Sequence, residues 1–287
     1  MQGTIEYLFK KKQEEKNMGN DFFMGSEIYT PQMGGMTTKG TQKVLNIFFI
    51  VDTSGSMRVD GRIDAVNDAF KQMIPELRRI QEDCMSEFEL RIAIMTFDET
   101  ASWIVAPTPI LEYNHQEIGC SQWVTYFSRA FQTFGEKMTS KEYMAHTGKI
   151  AQPYIMFMTD GEPTEDDNYQ PALDELLRNG WFNVSQRFAV LIGKDTINSS
   201  AARAAVEKFV SNSVEGIINA ADAAAIVAEV RAKTIHTVVN MTKHHIADET
   251  DKGEDNPPMD DLAWNNSSTD DSGWDNIPIF NNSDIFI

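Results

Sequence analysis

Three oxygen-bearing side chains stand on alternate residues in the stretch LNIFFIVDTSGSM: Asp52, Ser54 and Ser56. They follow directly on a run of large apolar residues that reads as a fully buried strand. A second apolar run, YIMFMTD, ends in the same way at Asp160. Carboxylates and hydroxyls are hard ligands. A set of them without nitrogen or sulfur selects Mg²⁺, Mn²⁺ or Ca²⁺ over zinc or copper. If the two runs are neighbouring strands, both carboxylates emerge at one edge of a sheet. Gly55 would let the chain turn tightly between the serines. An aspartate followed by Ser and Gly is also common as a plain turn or helix cap. One such stretch therefore decides little, and the pair of them carries the argument.

The surrounding pattern says what must hold these residues in place. From Val44 to about Thr242, apolar runs of strand length alternate with helical stripes. VLNIFFIVD is followed by Ile63, Val66, Phe70, Met73, Ile74, Leu77 and Ile80 at helical spacing, with Pro75 expected to kink or locally open that helix. FELRIAIMTFD is the next strand, and ASWIVAPTPI is expected to pair with it after a turn at residues 98–100. A helix is expected over SQWVTYFSRAFQTFGEKM, with Trp123, Phe127, Ala130, Phe131, Phe134 and Met138 on one stripe. QPALDELLRNG has Pro171 in its first turn and Gly180 past its end, the usual helix asymmetry. SQRFAVLIG, a helix capped by Asn198 or Ser199, the short strand VEGIIN and a last helix complete the series. Strands alternating with helices imply right-handed crossovers and a mainly parallel sheet. The fold class expected is therefore α/β: a doubly wound, Rossmann-like sheet of about six strands with helices on both faces and ASWIVAP as an antiparallel edge. Ligands in such sheets sit beyond the C-terminal ends of the strands, at the switch point.

At this point the loops resemble a known family. DTSGSM is similar to the D-x-S-x-S signature of the von Willebrand factor A (vWA) domain family, and MTDGEPT is similar to its third metal loop. The resemblance implies the vWA fold and its metal-ion-dependent adhesion site (MIDAS). That site takes a hydroxyl from a middle loop, commonly a threonine in a G-G-T-x-L context. The match used here is GCSQW, which puts Ser121 at the threonine position and Cys120 where glycine is common. Thr125 is the alternative, set back by the expectation that it lies one helical turn in. Carried over, the resemblance makes Asp52, Ser54, Ser56, Ser121 and Asp160 the metal residues, with Mg²⁺ (or Mn²⁺ or Ca²⁺) as the cofactor. It also implies a protein partner that supplies an Asp or Glu to the metal. Among family members the chain is most similar to intracellular, single-domain bacterial ones of the tellurite-resistance type, which implies an accessory role in a stress-response or signalling system and partners among kinases or phosphatases.

Composition sets the remaining limits. The chain has 287 residues and a formal net charge of -18. That charge argues against nucleic-acid binding, which needs a basic footprint. No apolar run approaches the roughly 18 residues of a membrane helix, and no secretory signal is read at the N-terminus. Cys84 and Cys120 have no metal-ligand spacing and read as reduced thiols, so a cytoplasmic protein is expected. Three segments follow: an N-terminal extension at 1–42, the vWA domain at 43–240, and an acidic, disordered tail at 241–287. From Asp248 onward the tail holds more than half of the net negative charge, yet it spaces Leu262, Trp264, Trp274, Ile277, Ile279 and Phe280 along its length. It could dock in cis or in trans, including self-association through 243–287. Glu162, Glu165, Asp166 and Asp167 read as a solvated run. His115 and His146 show no partner pattern, and His244 and His245 read as exposed.

No enzyme is expected. A strand-end aspartate with magnesium also begins the haloacid-dehalogenase phosphatases, but those need a second carboxylate two residues on, where this chain has Ser54. Neither a G-x-S-x-G elbow, nor a G-K-[ST] phosphate loop, nor H-E-x-x-H occurs in the sequence. Two alternatives stand beside the metal-dependent binding module: a scaffold whose acidic tail does the binding, and a Mg²⁺-dependent phosphatase-like hydrolase.

Overall fold

The computed structural model describes residues 42–250, apart from 86, 122, 123 and 147, and gives only the backbone for 244–250. The expectations for the N-terminal extension, for Trp123, for the side chains of His244 and His245, and for the tail beyond 250 lie outside the described residues.

Six strands form one sheet in the order β3-β2-β1-β4-β5-β6. They are β1 (Lys43–Asp52), β2 (Phe88–Phe97), β3 (Ala101–Pro109), β4 (Tyr154–Thr159), β5 (Gln186–Ile192) and β6 (Ile217–Ala220). All pairs are parallel except β2 with β3, so the expected antiparallel edge is present. Alternation along β1 explains why both faces are covered. Leu45, Ile47, Phe49 and Val51 point into one core, while Phe48 and Ile50 point into the other. Two long helices, α1 (Arg62–Cys84) and α7 (Ala223–Thr250), pack on the first face. The second face is covered by α2 (Phe127–Lys137), α3 (Gln170–Arg178), the short α4 (Gly180–Val184) and α6 (Ser200–Glu207). Its centre is a cluster of aromatic rings: Phe157 lies 5.0 Å from both Phe97 and Phe127 and 5.3 Å from Phe209, centroid to centroid.

Several local readings are adjusted. α2 begins at Phe127, not at Ser121. Tyr126 is extended (φ -109, ψ 101), and its N–H donates to the Asp98 carbonyl at 2.9 Å. The Thr125 carbonyl accepts from Thr164 N at 3.0 Å. Backbone groups committed to two neighbouring loops are withdrawn from the helical ladder, and β-branched Val124 and Thr125 lose little by staying outside the helix. Pro75 lies inside α1, which is helical throughout from Arg62 to Cys84. The QPALDELLRNG helix ends at Arg178 with Gly180 past its end, as expected, and Gly180 then opens α4, where Asn179 accepts from Phe182 N at 3.1 Å. Ser199 is the cap of α6, accepting from Ala202 N at 3.0 Å. α7 continues to Thr250, ten residues past the expected domain boundary, with Met241 and Thr242 buried.

Candidate metal centre

The switch point lies between β1 and β4, because the chain leaves β1 to build β2 and β3 on one side and returns with β4 on the other. Val51 is in register with Met158, so Asp52 emerges beside Thr159, and Asp160 follows directly. A strand end is a rigid platform: every residue of β4 and all but the first of β1 are buried. The loop after β1 then coils into a 3₁₀ segment over Gly55–Gly61 that is broken by a kink at Val59 and Asp60.

Four of the expected ligands form one connected cluster. Asp52 is fully buried. Its Oδ1 accepts from Ser54 N at 2.8 Å, and its Oδ2 accepts from the Thr159 hydroxyl at 2.7 Å. The hydroxyls of Ser54 and Ser56 are 3.1 Å apart. Ser56 donates to Asp160 Oδ1 at 2.7 Å, and Arg62 donates from Nη1 to Asp160 Oδ2 at 2.6 Å. Ser56 is exposed, whereas Ser54 and Asp160 are buried, so the cluster opens to solvent at Ser56. The third loop is held from behind by the Thr196 hydroxyl, which donates to the Asp160 carbonyl.

The middle loop lies against both others. Ser121 N donates to the Thr53 carbonyl at 2.7 Å, and Arg58 Nη2 donates to the Cys120 carbonyl at 3.0 Å. Thr125 N in turn donates to the Thr164 hydroxyl at 3.2 Å. Residue 121 therefore adjoins the first loop and residue 125 the third. Thr125 is two residues ahead of α2, so the distance argument against it does not hold. Both positions stay open as the source of the middle-loop oxygen. Gly55 does not supply a left-handed turn; those conformations fall at Asp60 (φ 53) and Gly61 (φ 67).

The electrostatics follow from burial. Removal from water, reinforced by the nearby negative charge of Asp160, pushes Asp52 up to about 7 from 3.8, against the hydrogen bonds from Ser54 and Thr159. A buried carboxylate beside a second one is a site that a cation would relieve. Among the described residues no group of three or more His, Cys, Asp or Glu could hold a metal. The donor set is instead two carboxylates with hydroxyls, which suits a hard cation that keeps several waters rather than a thiolate or imidazole site. Asp52, Ser54, Ser56 and Asp160, with a hydroxyl from Ser121 or Thr125, would hold it.

Sequence reasoning missed three contributors. Thr159 was legible from register, since it precedes Asp160 as Thr53 follows Asp52. Arg62 carried a signal of its own: a cation in the first turn of a helix opposes the helix dipole and asks for a partner. Thr196 carried none. The acidic run after the third loop is also more than a solvated stretch. Asp166 accepts from the Tyr126 hydroxyl at 3.1 Å, Asp167 accepts from Ser128 N at 3.2 Å in the first turn of α2, and Glu162 accepts from Ser199. His115 lies in a structural network with Asn67 and Tyr113 on the first face, and Cys84 and Cys120 are both free thiols.

No family model matches the chain, and no curated protein matches its sequence. Solved structures do match in fold. The pilus adhesin SpaC from Lactobacillus rhamnosus GG is similar over 71% of this chain and 32% of its own, at 11% identity and a TM-score of 0.52. A von Willebrand factor type A structure from Catenulispora acidiphila covers 68% of this chain and 42% of its own, at 16% identity and a TM-score of 0.48. The proximal thread matrix protein 1 of the mussel byssus, with a zinc-occupied MIDAS motif, covers 67% and 48% at 12% identity and a TM-score of 0.48. The chain thus spans about half the length of these structures or less. At such identities the likeness is one of fold. Among the described residues no helix is long and apolar enough to cross a membrane.

Proposed function

We propose that this chain is a divalent-metal-dependent protein-binding module of the vWA type, and not an enzyme. The observation that carries the reading is the connected set Asp52, Ser54, Ser56 and Asp160 at the switch point of a doubly wound sheet. A Mg²⁺ bound there would supply electrostatic attraction for an anionic oxygen. The chain's own residues fix the rest. Thr159 and Ser54 N hold Asp52, Ser56 bridges to Asp160, and Thr196 fixes the third loop from behind. With hydroxyls completing the donor set beside Asp52 and Asp160, a bound cation would keep charge enough to attract one more anionic oxygen, which in this reading is an Asp or Glu of a partner protein. The reading extends to an accessory role of the tellurite-resistance type in the bacterial cytoplasm, beside kinase or phosphatase partners. Its support is the resemblance of the loops.

The test is a pull-down from the native host with the full chain and with Asp52→Ala combined with Ser54→Ala, each in magnesium and in EDTA. A partner captured only by the unaltered chain, and only with magnesium, is the expected result. A partner retained in EDTA and by the double variant would refute metal-bridged recognition.

A further inference from the structure

Arg62 opens α1, where the helix dipole disfavours a cation. Its position is nevertheless built. Asp60 and Gly61 are both left-handed, an uncommon conformation for the aspartate, and together they set the angle at which α1 starts. The guanidinium lies 2.6 Å from Asp160 Oδ2, with the arginine side chain 13% exposed and the aspartate side chain 0%. Behind it is Gly193, at φ +87. A Cβ on Gly193 would stand 2.7 Å from Arg62 Nη2 and 2.9 Å from Cζ, so the missing side chain is what seats the guanidinium.

Arg62 also faces a second place to go. It lines a cavity of about 450 Å³ between the first loop, the start of α5 (Lys194–Asn198) and the start of α7. Three carboxylates, Asp60, Asp195 and Asp222, line the same cavity, with Lys194 as its other cation. Asp222 spends one oxygen on Ala225 N at 2.9 Å and keeps the other.

We propose that Arg62 is a resident cation on the third-loop carboxylate that exchanges with the metal ion: metal takes Asp160, and the guanidinium turns into the acid-lined cavity. Two cations on one buried carboxylate repel strongly, and the cavity carboxylates lower the energy of the displaced arginine. Metal affinity is thereby held below what the ligands alone would give, and metal occupancy is linked to the surface between α5 and α7. By reciprocity, anything that draws Arg62 into the cavity favours metal binding. This inference rests on the metal-site reading above.

The test uses the full chain, stripped with EDTA, and titrates Mn²⁺ by electron paramagnetic resonance and Mg²⁺ by calorimetry. Arg62→Gln removes the charge and is expected to bind metal about 10- to 100-fold more tightly, the size of a lost charge-assisted hydrogen bond. Asp195→Asn with Asp222→Asn, which keeps a capping side chain at 222, is expected to weaken binding several-fold in the native background and to change it little beside Arg62→Gln. The Arg62 Nε–Hε resonance is expected to shift on adding Mg²⁺. Equal affinity in the native chain and in Arg62→Gln, or an unmoved resonance at metal saturation, overturns the exchange alone. Absence of binding in every form overturns the metal site itself, and the exchange with it. Thermal melting of each variant in EDTA shows that the comparison is between folded proteins.

Discussion

Replacing Asp52 by Asn should stabilise the metal-free protein, and by an amount that depends on pH in a defined way. Asp52 titrates near 3.8 when exposed and is pushed up to about 7 in the fold, chiefly because it is removed from water and secondly because Asp160 is close. Between those values the folded state holds a proton that the unfolded chain has released. Stability therefore falls as pH rises from about 4 to about 7. Over that span the loss is about 4 kcal/mol, since the carboxylate has no exposed surface through which solvent could soften it. Asparagine fills the same space. Its oxygen can accept from Ser54 N, and Thr159 can reverse to accept from its amide while donating to the Gly161 carbonyl, 3.3 Å away.

The assay is urea unfolding in EDTA at several pH values, with the variant subtracted from the native chain so that shared titrations cancel. Asp52→Asn should be more stable by a few kcal/mol at pH 8, with the advantage shrinking towards zero near pH 4. Magnesium should narrow the gap at pH 8 by stabilising the native chain and not the variant. A difference that does not vary with pH, or a native chain that is the more stable at pH 8, would show that Asp52 already has its compensating charge and that the site needs no cation.

Three further outcomes can be measured. Gly193→Ala should destabilise by about 1–3 kcal/mol, because φ +87 with ψ 149 strains any side chain and its Cβ would strike Arg62; adding Arg62→Ala should recover the steric part in thermal melts and leave the backbone part. Asn46→Leu should stabilise by about 1 kcal/mol in urea unfolding, since Asn46 is 2% exposed in the middle of β1 and its Oδ1 has no partner, the one such buried side-chain oxygen among the described residues. His115 is held below its ordinary value, first by burial and then by Lys71, with Glu117 opposing, so stability should decline as pH falls through about 6.5, where the unfolded chain takes up the proton first; His115→Asn should flatten that slope in melting temperature against pH.

Most of the fold was legible because its signals are local and repeated. Continuous apolar runs gave the strands of a sheet covered on both faces, and turn residues gave the antiparallel return into β3. The errors fall where backbone groups answer to distant loops. Residues 121–126 carry helical-looking apolar spacing, but the backbone groups of Ser121, Thr125 and Tyr126 bond those of Thr53, Thr164 and Asp98, and none of these partners is close to them in sequence. The site divides in the same way. Asp52, Ser54 and Ser56 announce themselves by spacing, and Asp160 by repeating their strand-end context. Thr196 depends on where α5 falls after β5, which no short pattern records.

Arg62 shows why the missing part matters for function. Read by spacing alone, the loops describe four oxygen ligands waiting for a cation. In the fold one of those ligands already has a cation, held at 2.6 Å and seated against Gly193, whose positive-φ backbone strains any side chain. A site that binds metal only by displacing its own arginine discriminates by cost: a dilute or weakly charged ion gains too little, and a carboxylate arriving with the metal adds its attraction to the same exchange. Partner and metal then bind cooperatively without any contact between partner and Arg62. Metal affinity measured with and without a soluble acidic peptide, in the native chain and in Arg62→Gln, separates the two cases. Cooperativity that persists unchanged in the variant places it in the metal sphere alone; cooperativity that shrinks with the arginine gone places it in the exchange.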